Sequence, residues 1–380
     1  MAVLRPVAVP SGASALSVLP VVEDVLCGRA TVLPVPVGDD RETALLTTSL
    51  RAGSEIDDDV AVVISTSGTT GTPKGALLTA SALTASATAT HERLGGPGQW
   101  LLALPAHHIA GFQVLVRSVI AGVVPVAVSA SFSAEELVPA VASLGSGRRY
   151  VSLVAAQLDK SLGDPAASAA LASMDAVLIG GGPMPAGVAE RAAAAGIRVV
   201  RTYGMSETAG GCVYDGVPLE GVRLRIDDGR VVLGGATLAK GYRNPVDPDP
   251  FVEPGWFRTD DIGAVDDSGV LTVLGRVDDA ISTGGLTVLP QLVEAAMASH
   301  AAVAECVVFG VADERLGQRV VAAIVLSPGN TAPTLAEIRE HVATTLDITA
   351  APREIHVVDE IPRRGIGKVD RRALAARLGP

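Results

Sequence analysis

Ser65-Thr66-Ser67-Gly68-Thr69-Thr70-Gly71-Thr72-Pro73-Lys74-Gly75 directly follows the apolar run Val60-Ala61-Val62-Val63-Ile64. The run has the length and β-branched content of a buried strand, and the Ala/Thr/Leu-rich segment after Gly75 has helical character, so the stretch is a loop at a strand end. Its glycines let backbone N–H groups turn toward an anion. The hydroxyls of Ser65, Thr66, Ser67, Thr69 and Thr70 add neutral donors, and Lys74 adds a charge. Phosphate is the natural guest. A plain polar surface loop is the alternative, and it leaves this density of donors unexplained. The Walker pattern of P-loop NTPases, started from Gly68, needs a glycine where Pro73 stands and a hydroxyl where Gly75 stands, so it fails twice.

The remaining composition narrows the options. A chain of 380 residues, 48% hydrophobic, is expected to fold as two domains. Only 3% of residues are aromatic, so the cores must be built from Ala, Val and Leu. A formal net charge of −11 argues against nucleic acid or an anionic membrane as partner, and an anionic ligand must then be held by local features. Cys27, Cys212 and Cys306 have no metal-ligand spacing and read as core residues of a reducing compartment. Pro6, Pro10, Ser11 and Gly12 interrupt any signal-peptide core, and no run reaches 18 apolar residues, so a cytoplasmic protein without membrane insertion is expected.

From 60 to about 205, apolar runs at Trp100–Leu104, Val123–Val128, Val151–Val154, Asp175–Ile179 and Ile197–Val200 alternate with Ala-rich segments near 113–121, 133–143, 156–172 and 185–195. That rhythm predicts an α/β fold of helix-covered β-sheets. After about 278 the chain reads as a smaller α/β domain, with helices at Pro290–Ser299 and Thr334–Thr344 and strands at Val303–Gly310, Val320–Leu326 and Glu354–Val358. Residues 1–59 carry no recognisable chemistry.

Further motifs follow the phosphate loop. They are Pro105-Ala106-His107-His108-Ile109-Ala110-Gly111, Gly180-Gly181-Gly182-Pro183, Tyr203-Gly204-Met205-Ser206-Glu207-Thr208, Trp256-Phe257-Arg258-Thr259-Asp260-Asp261-Ile262-Gly263, Gly275-Arg276-Val277-Asp278-Asp279 and Pro362-Arg363-Arg364-Gly365-Ile366-Gly367-Lys368-Val369. Taken alone, a histidine pair in an Ala/Ile setting is more often structural than catalytic, and the basic run Arg363 to Arg377 fits a solvated helix face. In this order, however, the set resembles the adenylate-forming superfamily of acyl- and aryl-CoA synthetases, peptide-synthetase adenylation domains and luciferases. The Trp-x-x-Thr-Gly-Asp-x-Gly motif carries Asp260 in place of its glycine. The superfamily usually places its phosphate loop well over a hundred residues into the chain, so part of its first subdomain is expected to be missing or trimmed.

The resemblance implies a large N-terminal adenylation domain, 1–277, and a small mobile lid domain, 278–380, hinged at Asp278. It implies that Thr66, Ser67, Gly68, Thr69, Thr70, Gly71 and Lys74 bind the phosphates of ATP, that Gly181 and Gly182 form one wall of the adenine and acyl pockets, and that Tyr203 stacks on adenine. Thr208 would contact the α-phosphate, Glu207 would hold Mg²⁺, Asp261 would accept both ribose hydroxyls, and Arg276 would touch the sugar region. His108 matches the histidine where the acyl group meets the pantetheine tunnel. The Gly284-Gly285 loop would line the channel for CoA, and Lys368 is the expected catalytic lysine.

Ser152-Leu153-Val154-Ala155-Ala156-Gln157-Leu158 resembles a segment of o-succinylbenzoate–CoA ligases, with Ala155 and Ala156 in place of a Pro-Thr pair. A buried strand running into a helix accounts for most of these residues too. An aromatic acid with two carboxylates is thus the expected substrate, with Arg117, Arg148, Arg149 and Arg201 as candidates to neutralise the spare one. Another CoA ligase, a stand-alone adenylation enzyme and a non-catalytic nucleotide-binding protein on the same scaffold remain alternatives. A homodimer is expected if a sheet edge is left bare.

Overall fold

The computed structural model describes the backbone of residues 1–66, 72–129, 131–364 and 368–378, with side chains except at 186, 364 and 368. The chain divides into two units, Met1–Arg225 with Val232–Thr259, and Ile226–Val231 with Asp260–Pro380.

In the first unit, Arg5–Val9 (β1), Val32–Pro36 (β2), Val60–Ile64 (β3) and Ala76–Thr79 (β4) form a sheet in that order. The strands β1, β2 and β3 run parallel, while β3 and β4 are antiparallel. Here the structure corrects the sequence reading. The phosphate loop joins two strands of a hairpin, and the helix begins only at Ala80. Ala76 and Leu78 are fully buried, and Thr79 caps the helix by accepting from Ala82 N (3.0 Å).

The second sheet contains Gln99–Leu102 (β5), Val126–Ala127 (β6), Arg149–Val154 (β7), Ala176–Gly180 (β8), Val199–Met205 (β9), Gly210–Tyr214 (β10) and Val217–Pro218 (β11). Its order is β11-β10-β9-β8-β7-β5-β6, parallel from β9 through β6 and antiparallel beyond β9. Two expected runs change length. Val123 and Val124 stay outside any strand, exposed after the left-handed Gly122 that ends the preceding helix. The run expected at Ile197–Val200 continues to Met205, because its second half pairs with β10.

Helices Leu19–Leu26 (α1), Asp40–Ser49 (α2), Ala80–Arg93 (α3) and Ile109–Ala121 (α4) precede Ala134–Ala142 (α5), Ala155–Leu162 (α6), Pro165–Ala172 (α7) and Ala186–Ala194 (α8). The Ala-rich segment near 156–172 forms two helices, α6 and α7. Asp164 caps α7 by accepting from Ala166 N and Ala167 N, and Pro165 starts it. The period-2 alternation of each strand then sets the layers. Trp100, Leu102 and Leu178 face a core shared with α1, α3, α4 and the Val62, Ile64 and Leu78 side of the other sheet. Leu101, Val177 and Ile179 face α5 to α8. Leu46 of α2 packs on the outer face, against Leu33, Val35 and Val63. Alanines such as Ala82 and Ala87 let α3 sit close to its neighbours.

In the second unit the strand Trp256–Val265 (β12), which enters it at Asp260, pairs antiparallel with Leu271–Arg276 (β13). Ile281–Thr283 (β14), Leu286–Val288 (β15), Val303–Asp313 (β16), Gly317–Leu326 (β17) and Glu354–Val357 (β18) make a five-stranded sheet, ordered β15-β14-β17-β16 with β18 beside β17. Pro290–Ala298 (α9) and Leu335–Ala343 (α10) bury Val293, Met297, Ile338 and Val342 against one face. Arg371–Leu378 (α11) buries Leu374 against Val307, Phe309 and Val321 on the other. The short hairpin Arg363–Arg364 (β19) and Lys368–Val369 (β20) precedes α11. Among the described residues, no helix is long and apolar enough to cross a membrane.

Candidate active site

Four of the quoted segments leave the carboxyl ends of neighbouring parallel strands, β5, β7, β8 and β9. In open α/β sheets that rim is where ligands bind, because the loops there converge while the strands beneath stay rigid. After β5, His108 caps α4, its N–H on Pro105 O (3.2 Å) and its carbonyl accepting from Phe112 N (2.9 Å). A Cβ on Gly111 would lie 2.3 Å from Pro105 O, so any larger residue there must shift the main chain of the turn. The His107 and His108 rings are 4.2 Å apart, and burial, then the neighbouring His108, lowers the His107 pKa to about 4. After β7, Gln157 accepts from Val154 N (3.0 Å) and donates to Ala103 O (3.0 Å). Gln157 of the Ser-Leu-Val segment thereby ties two strand ends together. After β8, Gly181 takes φ +83°, and a Cβ at Gly182 would meet nothing within 4 Å, which leaves its main chain open to a ligand.

After β9, Ser206–Thr208 form one 3₁₀ turn that brings Glu207 in, only 8% exposed. The turn is held from below. Ala209 takes the left-handed φ of +51°, and its carbonyl accepts from Ser86 Oγ (2.9 Å) and Gln113 Nε2 (2.8 Å). Thr208 is fully buried, and its hydroxyl serves the turn itself, accepting from Met205 N (3.0 Å) and donating to Gly210 O (2.7 Å). Gly204 is required by close approach, since a Cβ there would lie 2.1 Å from Gly210 O.

The end of the phosphate loop reaches the same place through a residue that the sequence reading did not single out. Tyr242 donates its hydroxyl to Glu207 Oε1 (2.7 Å), and Lys74 Nζ lies 5.2 Å from the Tyr242 ring centroid. The segment 240–244 runs along β4, with Leu77 N on Gly241 O, Arg243 N on Gly75 O and Asn244 N on Lys74 O. Among the described residues, buried Thr66 Oγ1 has no hydrogen-bond partner. Ser67, Gly68, Thr69, Thr70 and Gly71 lie outside the described residues. Glu42 of α2 is a second residue not anticipated, its carboxylate and the His107 and His108 nitrogens all within 4.8 Å of one another. A lone tyrosine between Gly241 and Arg243, in a chain so poor in aromatics, was the available signal for Tyr242. Nothing in the sequence pointed to Glu42.

None of the four candidate arginines sits in the loops of this rim. Arg117 is 3% exposed, stacked under Trp100 with its charge centre 4.8 Å from the ring. Arg148 and Arg149 stand at the amino end of β7, a strand length from the rim. Arg201, in β9, keeps an exposed guanidinium 3.6 Å from Asp215.

The second unit carries its own group. Asp261 of β12 is opposite Arg276 of β13, with Arg276 Nη1 3.4 Å from Asp261 Oδ1. Burial alone would lower the Arg276 pKa, but Asp278, Asp261 and Asp260 together raise it. Asp260, at the position of the motif glycine, pairs with Arg230 (3.3 Å) at the surface. Gly284 and Gly285, at φ +59° and +81°, form the two-residue turn between β14 and β15. Lys368 lies in β20, its backbone paired with Arg364.

A model of the family described as AMP-binding enzyme matches residues 17–242, and one described as AMP-binding enzyme C-terminal domain matches 292–368. The chain is 66% identical to a probable 2-succinylbenzoate–CoA ligase of Mycobacterium tuberculosis, over 99% of this chain and 98% of that protein. It is 35% identical to a 2-succinylbenzoate–CoA ligase of a Geobacillus species, over 83% of this chain and 69% of that one. It is similar to o-succinylbenzoate CoA synthetase from Bacillus subtilis in complex with the acyl-adenylate intermediate, with a TM-score of 0.76, 25% identity, and coverage of 98% and 88%. The fold is also that of ATP-bound MatB from Rhodopseudomonas palustris, TM-score 0.83 at 22% identity over 99% and 89% of the two chains.

Proposed function

The chain belongs to the AMP-binding enzyme family, and on that footing we propose that it is an ATP-dependent 2-succinylbenzoate–CoA ligase. The observation that carries the proposal is the rim itself. The histidine turn, the Gly180–Gly182 loop and the Glu207 turn leave the same ends of parallel strands in one sheet, and Tyr242 links Glu207 to the lysine of the phosphate loop.

A carboxylate acylates poorly because its leaving group would be oxide. In the proposed first step its oxygen attacks the α-phosphorus of ATP, the bond to pyrophosphate breaks, and an acyl adenylate forms. The protein must position the two anions and offset the charge that grows on phosphate oxygens. Lys74, Lys368 and the hydroxyl-rich loop from Thr66 to Thr70 are assigned that work, together with Gly68 and Gly71. Thr208 holds the Glu207 turn, and a direct phosphate contact would require its hydroxyl to leave Gly210 O. Tyr203, Gly181 and Gly182 are assigned to the base, and Asp261 and Arg276 to the ribose. Glu207 fits Mg²⁺, being a nearly buried carboxylate with one oxygen held by Tyr242, and that ion takes few protein carboxylates. When bound, Mg²⁺ supplies positive charge to the phosphate oxygens.

In the second step the CoA sulfur attacks the adenylate carbonyl, the thiol loses its proton, and AMP leaves with its oxygen. His108 is assigned to the acyl side and the Gly284-Gly285 turn to the pantetheine side. The proposed working division, 1–277 and 278–380 about Asp278, lets a mobile lid present Lys368 first and the glycine turn second. The three cysteines are free thiols, which supports a cytoplasmic setting. For a homodimer the structure offers the outer strand β1, where Pro6 removes a donor that a partner strand would use. Light scattering at micromolar concentration decides that assembly.

The test is AMP release with ATP, Mg²⁺ and CoA across 2-succinylbenzoate, simple benzoates and fatty acids, with Lys368→Ala as control. Lysine-dependent turnover confined to 2-succinylbenzoate is expected. Equal use of a simple benzoate would overturn the substrate assignment, and ATP binding without turnover on any acid would overturn the reaction.

A further inference from the structure

Arg371 opens α11, three residues after Lys368. Its guanidinium reaches three separate elements. Nε donates to Val308 O of β16 (3.1 Å), Nη2 donates to Glu294 Oε1 of α9 (2.6 Å), and Nη1 lies 3.6 Å from Asp279 Oδ2. Each carboxylate is also held from elsewhere. Glu294 Oε1 accepts from Val308 N (2.8 Å), and Asp279 Oδ2 accepts from Gln291 Nε2 (3.1 Å). The segment between lysine and arginine is short and closed, with Asp370 N on Pro362 O (2.8 Å) and Asp370 Oδ1 accepting from Ala373 N (3.0 Å). The Lys368 backbone, paired with Arg364, thus stands three residues from the Arg371 anchor.

The two adjacent aspartates at the expected hinge grip different arginines. Asp278 takes a two-pronged hold on Arg276, from Nε at 2.8 Å and Nη2 at 3.0 Å, while Asp279 faces Arg371. One aspartate is tied toward the strand that carries Asp261, the other toward the segment that carries the lysine. A lysine is a point charge on a flexible stem, so its reach is set by where its backbone is anchored, whereas an arginine fork fixes direction as well as distance.

We propose that Arg371 is a positioning residue for Lys368, which it fastens through Asp279 and Glu294 to the Asp278-Asp279 junction so that lysine and junction move as one piece. The proposal rests on the adenylate-forming reading above. It concerns the first half-reaction, in which the lysine takes part, and leaves thioester formation from a ready-made adenylate alone.

The experiment uses the full chain as wild type, Arg371→Gln, Arg371→Lys and Asp279→Asn. Asp279→Asn cuts one arm and leaves the Glu294 pair intact, which covers the case where Arg371→Gln fails to fold. Acyl-adenylate formation at saturating acid and ATP is expected to fall about 10- to 100-fold in Arg371→Gln, the effect of displacing a catalytic group by roughly an ångström. Asp279→Asn falls less, and Arg371→Lys recovers part of the loss. KM for acid and ATP, and CoA transfer from supplied acyl adenylate, stay within about twofold of wild type. Amide hydrogen exchange over 361–370, read without any substrate, is expected to quicken in both charge-removing variants. Undiminished adenylation, or unchanged exchange in that segment, would overturn the proposal, as would an equal loss in both half-reactions. A wild-type chain inactive on every acid would instead sink the functional reading, and the exchange measurement would still judge the fastening.

Discussion

Replacing Gly111 by alanine sets two known effects against each other at the rim of the site. Gly111 is the third residue of α4, where alanine is intrinsically favoured over glycine by about 1 kcal/mol. The added Cβ, however, would stand 2.3 Å from Pro105 O and 2.6 Å from Leu104 O. Both are main-chain atoms, so no side-chain rotation relieves the contact, and roughly 1 Å of backbone movement is needed to reach ordinary carbon contact distance. Overpacking of this kind costs about 1–3 kcal/mol, leaving a net destabilisation of up to about 2 kcal/mol after the helix gain. In a unit of this size that is a fall in Tm of up to about 8 °C. The oxygen that must move also accepts the His108 N–H, so the histidine turn moves with it. CoA transfer from acyl adenylate is therefore expected to drop about 10- to 100-fold. Gly187, the second residue of α8, is the matched control, because a Cβ there meets nothing within 4 Å. Gly187→Ala should gain up to about 1 kcal/mol and leave both half-reactions unchanged. Urea denaturation and the two half-reactions, run on both variants, complete the comparison. A Gly111→Ala protein as stable and active as wild type would show that the turn does not depend on that close approach.

Tyr242→Phe removes the hydroxyl on Glu207 and should raise the Mg²⁺ concentration needed for half-maximal adenylation about 10- to 150-fold, the worth of one hydrogen bond to a charged group. An unchanged Mg²⁺ titration would separate Tyr242 from the metal role assigned to Glu207. Asp278→Pro should spare adenylate formation and cripple thioester formation; equal loss of both would remove the hinge. His91 and His107 both have pKa values lowered to about 4, His91 by burial and then by Arg117, against about 6.5 in the unfolded chain. Between those values the unfolded chain binds more protons, so stability rises with pH across that window and is lost as pH falls from 6.5 toward 4. The combined loss, discounted for partial solvent access, is about 2–3 kcal/mol by urea denaturation, and a flat profile between pH 7 and 5 would contradict the burial of both rings.

Periodicity and punctuation were enough to read β3, β5, β7 and β8 and the helices α9 and α10, because a buried strand or an amphipathic helix writes its pattern into consecutive residues. The same holds for the motif loops. Glycines, a tyrosine, a glutamate and a lysine in fixed local order mark where ligand chemistry sits, whatever encloses it. The hairpin strand β4 was not readable, since Ala76 to Thr79 suit a helix as well as a strand, and it is the distant 240–244 segment that claims their backbone groups. Tyr242 on Glu207, Glu42 beside His107, and Arg371 between Glu294 and Asp279 are likewise pairings across 35, 65, 77 and 92 positions, set by which strand ends and helix faces meet. Local sequence determined what each loop could bind. Only tertiary packing decided which side chains hold those loops in place, because a hydrogen bond between distant residues leaves no period in the chain.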